Sequence, residues 1–283
     1  MSAWFFIGGL FVGSFLNTVV LRLGKGEEIS GRSHCPYCQK KLAWFELVPV
    51  LSFIFQRGRC RTCREKISFF YPFGELLTGF VFYLIAFSFF HNVEFTVAFL
   101  SSQKLWAVLF LASFLFYLSI LIVVALFDLR NLLIPENVLL IGAAGALIFS
   151  VIFYFTSFAN FSFLGGYFKF SWPHNPFVSK MIGALCVGGF FFLLWFFSRG
   201  RALGFGDVEV GAFIGLILGL YDAIFALAIS FFIGAFISLL LLLFKKKKFK
   251  SHLPYAPFLS LGVLVTIVCG KFILENYLKL FGI

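Results

Sequence analysis

Two aspartates at the edges of apolar runs carry the first chemical signal. Asp128 closes the stretch LIVVALFD, which continues LRNLLIPEN, and Asp207 sits in RALGFGDVEVG. Only 12 of the 283 residues are acidic. A carboxylate in hydrocarbon costs about 2.5–3.5 kcal/mol on insertion scales, so acids beside apolar runs are functional candidates. Two carboxylates at one depth on different helices can divide acid–base work. One, ionised, takes a proton from water; the other, protonated, donates to a peptide carbonyl. Close approach splits their pKa values, so the pair shares one proton near neutrality. Gly204 and Gly206 would admit a substrate backbone and open conformations closed to other residues. The same residues also fit a flexible turn in which the aspartate merely caps a helix. Because Asp207 begins a helix and Asp128 ends one, the helix dipoles predict Asp207 as the resting base and Asp128 as the holder of the shared proton, with Arg130 as a counterweight.

A second signal is metal-ligating. HCPYCQKKL and GRCRTCREK place Cys35 and Cys38, then Cys60 and Cys63, with 21 residues between the pairs. Each CxxC can set two thiolates on one turn, and two such turns make a tetrahedral four-sulfur site, closed and therefore structural. A redox pair and a disulfide are the competing readings, and a reducing inward side disfavours the latter. His34 reads as a neighbour of the site rather than a ligand. Cys186 and Cys269 lie in apolar runs and read as core packing. Among the other acids, Glu75 stands about one turn into the second span as a structural group or a substrate contact. Asp222 falls at an outward turn and reads as solvated, while Glu136 and Glu209 lie near the two aspartates.

The elements that must hold these residues are membrane helices. Hydrophobic residues make up 61% of the chain and 46 residues are Phe, beyond the range of soluble domains. Apolar runs at 3–23, 71–90, 105–127, 132–155, 180–198, 208–221, 223–244 and 256–275 predict an all-α polytopic membrane protein with about eight transmembrane helices. The first run lacks a basic start and a small-residue cleavage site, and reads as a span. With both termini outside, the inward segments hold 18 of the 23 Lys and Arg, as the positive-inside rule expects. The net charge of +11 therefore reports topology rather than nucleic-acid binding. The chain divides into a first helix (1–23), a small cytoplasmic zinc-ribbon-like domain between helices 1 and 2 (24–70), and a membrane domain (71–283). No internal repeat is evident. The 156–180 loop reads as an aromatic interfacial segment, KKKKFK at 245–250 as an inward anchor, and His91 and His174 as solvated, with His252 beside the lysines.

In order along the chain, GSFLNTVVLRL at 13–23, CPYC, the block from Trp44 to Glu75, Asp128 with IPEN, GFGD at 204–207 and PYAPFLSLG at 254–262 resemble the bacterial type IV prepilin peptidases. These belong to the GxGD intramembrane aspartic proteases, and the likeness covers nearly the whole chain. The resemblance implies cleavage of the basic leader of prepilins and pseudopilins after a glycine, at the cytoplasmic face of the bacterial inner membrane. It further implies methylation of the new terminal amine with S-adenosylmethionine. It makes Asp128 and Asp207 the proteolytic pair, Cys35, Cys38, Cys60 and Cys63 the ligands of a structural Zn2+, and Glu46, Gly58 and Arg59 residues of methyl transfer. Departures from the family pattern stand at Arg59 and Glu209, each usually Lys, at Leu47, commonly Asn, and at Glu136, commonly Asp. The rival reading is a transporter whose acids relay protons or bind cations.

Overall fold

The computed structural model describes residues 2–101, 103–155, 162–164, 175–201, 203–244 and 253–280. The lysine run, His174, His252 and most of the 156–180 loop lie outside the described residues. The chain forms two compact units, Met1–Phe87 and Ser88–Ile283.

In the first unit, α1 (Ser2–Lys25) packs on α3 (Phe70–His91). Glycines set how closely they approach. A Cβ on Gly9 would lie 2.8 Å from the Gly79 Cα, and one on Gly13 2.9 Å from the Glu75 Cα, so GLFVG is a small-xxx-small seam. Asn17 locks the end of this seam nearer the cysteine block by donating to the Tyr71 carbonyl at 2.8 Å. Between the two helices lie a 3-10 turn (Trp44–Leu47), the short helix α2 (Leu51–Phe55) and the four cysteines. Buried Arg22 ties the start of this block to α1, donating to the carbonyls of Ile29 and Ser30 at 2.6 Å.

The second unit contains α4 (Val93–Leu100), α5 (Lys104–Asn131), α6 (Glu136–Tyr154), α7 (Pro176–Ser198), α8 (Phe205–Leu218), α9 (Leu220–Leu243) and α10 (Ala256–Leu280). Among the described residues, seven helices are long and apolar enough to cross a membrane. The expected sixth span, 208–221, is α8, and it differs from the rest. With 14 residues it is about 21 Å long, short of a hydrocarbon core of about 30 Å, and ten of its residues are buried. Neighbouring helices α6, α7, α9 and α10 supply its surroundings. It ends at Gly219, whose φ of 83° and ψ of 177° belong to a region open only to glycine.

The closest packing is between α7 and α8. A Cβ on Gly183 would fall 2.8 Å from the Gly215 carbonyl oxygen, and a Cβ on Gly215 would strike the Gly183 carbonyl in turn. Backbone cannot rotate away, so Gly215→Val should cost at least the ~1–3 kcal/mol typical of overpacking. A lowered unfolding midpoint in detergent checks this, with Gly189→Val, where a Cβ meets nothing within 4 Å, as the control.

Several expectations need correction. Asp222 is not a solvated turn acid: it is 3% exposed, and its carboxylate accepts from the Ser162 hydroxyl and the Phe163 N–H, both at 2.9 Å. Residues 162–164 fold over it, which no local pattern signals. Asp222→Ala would leave those donors buried and unpaired, at about 1–3 kcal/mol each; a thermal midpoint that falls further than for Asp222→Asn tests the point. Cys186 and Cys269 are exposed on their helices instead of packed in the core. The connection after α3 holds an unexpected helix, α4, started by the Asn92 side chain accepting from the Phe95 N–H at 3.2 Å. Buried Phe95 packs edge-on against Phe89 at 5.0 Å.

Candidate functional site

Asp128 lies in the last turn of α5 and is 5% exposed. Its Oδ2 accepts from the Ala256 N–H at 3.1 Å, and the Tyr255 amide also bonds to this carboxylate. Asp128 therefore meets the amino terminus of α10 as well as the carboxyl terminus of its own helix. The dipole argument that separated it from Asp207 loses its premise, because both acids now face helix N-termini. Pro257, in the first turn of α10, has no N–H to satisfy there, which suits that position.

Asp207 is the third residue of α8, after Gly204 as N-cap, and is 9% exposed. Its carboxylate bonds back to the Gly204 backbone, and it lies within electrostatic reach of Asp128. The chain thus brings the two aspartates together from α5 and α8. The glycines do not take the conformations closed to other residues that the sequence led one to expect. Neither adopts a positive φ. A Cβ on Gly206 would fall 2.7 Å from the Ile134 Cβ, so this glycine admits the loop after Asp128, whereas one on Gly204 would meet Asp207 Oδ2 at an ordinary 3.7 Å. GFGD and IPEN interlock.

Sequence reasoning missed Tyr255. Its ring lies among Phe191, Phe231 and Phe258, and its hydroxyl is buried with no hydrogen-bond partner among the described residues, within electrostatic reach of Asp207. An aromatic residue in an aromatic-rich chain gave no signal of this. Glu209 faces Glu136 closely enough for the two charges to interact.

The four cysteine sulfurs lie within 4.8 Å of one another, and the Cys35 and Cys63 sulfurs are 3.9 Å apart. A tetrahedron with metal–sulfur bonds of about 2.3 Å has edges of about 3.8 Å, so the set fits one ion. Two similar turns build it, as the paired CxxC spacing leads one to expect. The Cys35 N–H donates to the Lys40 carbonyl at 3.0 Å and the Cys60 N–H to the Glu65 carbonyl at 2.8 Å. Bridges His34–Lys41 and Arg59–Lys66 close the turns, which Gln39 and Arg64 complete at positive φ. Amides of Cys63 and Thr62 pull the Cys60 thiol down to about 7. His34 is not part of the sulfur cluster.

Beside this centre is a cavity of about 860 Å³ whose wall includes Phe45, Glu46, Phe55 and Arg59, with Arg57, Arg61 and Arg64. Glu46 and Arg59 are therefore brought together. Gly58 forms the turn between them and α2, at a φ of 65° with the Phe53 ring 3.1 Å from where a Cβ would stand. Glu75 is 7% exposed and accepts from the Val50 N–H at 2.7 Å, holding the block against α3.

The profile of the bacterial peptidase A24 N-terminal domain matches residues 7–89, and that of the type IV leader peptidase family matches residues 115–239. A prepilin leader peptidase/N-methyltransferase of Bacillus subtilis is 30% identical over 99% of each chain. The chain belongs to the type IV leader peptidase family. Proteins of the same name from Aeromonas hydrophila (25% identical, 98% of this chain and 93% of the relative) and Legionella pneumophila (27%, 97% and 95%) are also similar along nearly their whole length. No solved structure matches. The first family match runs through the cysteine block, and the second contains both aspartates.

Proposed function

We propose that this protein is an inner-membrane aspartic endopeptidase that removes the leader of type IV prepilins and pseudopilins, cutting after a glycine at the cytoplasmic face. The observation that carries this reading is the buried pair Asp128–Asp207, assembled from two helices of a chain in this family. One carboxylate takes a proton from water and the other donates to the scissile carbonyl; the roles are exchanged when the amine leaves. The amides of Tyr255 and Ala256 and the backbone of Gly204 hold the two acids in place. The cysteine block and the cleavage site face the cytoplasm, and both termini lie outside, as the basic residues indicate. Reconstituted protein given a prepilin and labelled S-adenosylmethionine should yield a shortened, methylated product by mass spectrometry. An uncut substrate would defeat the proposal.

The four cysteines are assigned to a structural Zn2+, which would cross-link the two turns. S-adenosylmethionine supplies the methyl group, and the cavity beside the zinc centre is its proposed site. There Glu46 would face the cationic sulfonium and Arg59 the carboxylate, with Phe45 available to an aromatic ring. Glu46 Oε2 accepts from the Ala43 N–H at 2.9 Å, and Gln can keep that bond. Glu46→Gln should therefore lower methylation at least ~10-fold, the worth of about 1.4 kcal/mol, and leave cleavage intact. Quantifying both products from one reaction checks this.

A further inference from the structure

Helix α2 has no buried residue. Leu51, Ile54 and Phe55, at positions i, i+3 and i+4, form one apolar face, with Phe55 82% exposed. The opposite face is spoken for: Phe53 packs edge-on against Phe69 at 6.3 Å and lies over Gly58. Trp44, in the preceding 3-10 turn, is 80% exposed.

The depth of α2 is set by a hydrogen bond. Val50, its N-cap, donates to Glu75, and Glu75 is the sixth residue of α3, about 7 Å along a membrane-spanning helix. That level lies near the boundary between lipid headgroups and acyl chains. Four arginines follow within nine residues of α2: Arg57, Arg59, Arg61 and Arg64. All four are exposed, and among the described residues none of them forms a salt bridge. An apolar face at interfacial depth beside exposed cations that form no salt bridge, one of them (Arg61) stacked over the Phe45 ring at 5.4 Å, is the pattern that binds anionic membrane surfaces.

We propose that α2 is an interfacial anchor lying in the cytoplasmic leaflet. Leu51, Ile54, Phe55 and Trp44 enter the acyl boundary, and Arg57, Arg61 and Arg64 contact the phosphates of anionic phospholipid. The anchor fixes the height of the cysteine block above the membrane and keeps the neighbouring cavity at the lipid surface. The apolar face and its depth stand whatever occupies that cavity, whose wall shares Phe55, Arg57, Arg61 and Arg64.

The test uses the full chain in nanodiscs of phosphatidylcholine alone or mixed with phosphatidylglycerol. Trp44 emission, taken as wild type minus Trp44→Phe, should be quenched several-fold more by lipid brominated near the headgroup than by aqueous iodide. Amide exchange across residues 50–58 should slow several-fold when phosphatidylglycerol is added at low salt. Arg57→Gln/Arg61→Gln/Arg64→Gln should lose that lipid-dependent slowing, and Phe55→Ser should lose the bromolipid quenching. Unchanged exchange in α1 and α3 confirms that each variant is folded. Trp44 quenched by iodide and not by bromolipid would overturn the anchor. Slowing that is equal in both lipid mixtures would overturn the assignment to anionic lipid.

Discussion

Asp128→Asn and Asp207→Asn, each in the reconstituted full chain, should cut prepilin cleavage by about 10³-fold or more while leaving the fold intact. The size follows from the chemistry, since general acid–base groups contribute about 10²–10⁴-fold each and a shared-proton pair fails when either member is lost. The intact fold follows from the geometry. Asn at 128 still offers an oxygen to the Ala256 N–H, and Asn at 207 can still bond to the Gly204 backbone. The substitutions therefore remove ionisation and spare the contacts. The wild-type rate should trace a bell against pH, because catalysis needs one proton on the pair, neither two nor none. Initial rates from pH 4 to 9, with circular dichroism on each variant, make the measurement; cleavage retained in both variants would sink the aspartic mechanism.

Different parts of this architecture were visible in the sequence for different physical reasons. Charge is costly in hydrocarbon, so Asp128 and Asp207 stood out against their apolar neighbours by type alone. The cysteine turns were legible because metal geometry is written in local spacing. Run length placed the spans, and α8 differed only in being too short to cross independently. What stayed hidden depends on partners distant in sequence. The amide that holds Asp128 comes from Ala256, 128 residues downstream. Ser162 and Phe163, which bury Asp222, lie about 60 residues before it. Gly206 looked like an opening for substrate, yet the nearest atoms belong to Ile134 of the same chain. In each case the residue type was suggestive, and the neighbour that decides its role was set by tertiary packing.

Loss of the metal should separate the two activities. Cys60→Ser, or a strong chelator, should release the ion, speed amide exchange throughout residues 33–67 and abolish methylation. The block is small, and its described contacts are two turns, one 3-10 turn and a five-residue helix, so the metal must supply much of its folding free energy; structural zinc in small domains contributes about 10–16 kcal/mol at neutral pH. Cleavage should fall much less, because α5, the loop to Ile134, α8 and the start of α10 hold the aspartates and all belong to the unit Ser88–Ile283. The pH dependence has a definite sign. All four cysteines bind metal as thiolates, so metal is retained at neutral and higher pH and lost as acid protonates the ligands. Metal content, methylation and cleavage measured on one preparation across a chelator series would show the dissociation. Parallel loss of both activities would instead mean that the aspartate pair depends on the metal-bound block.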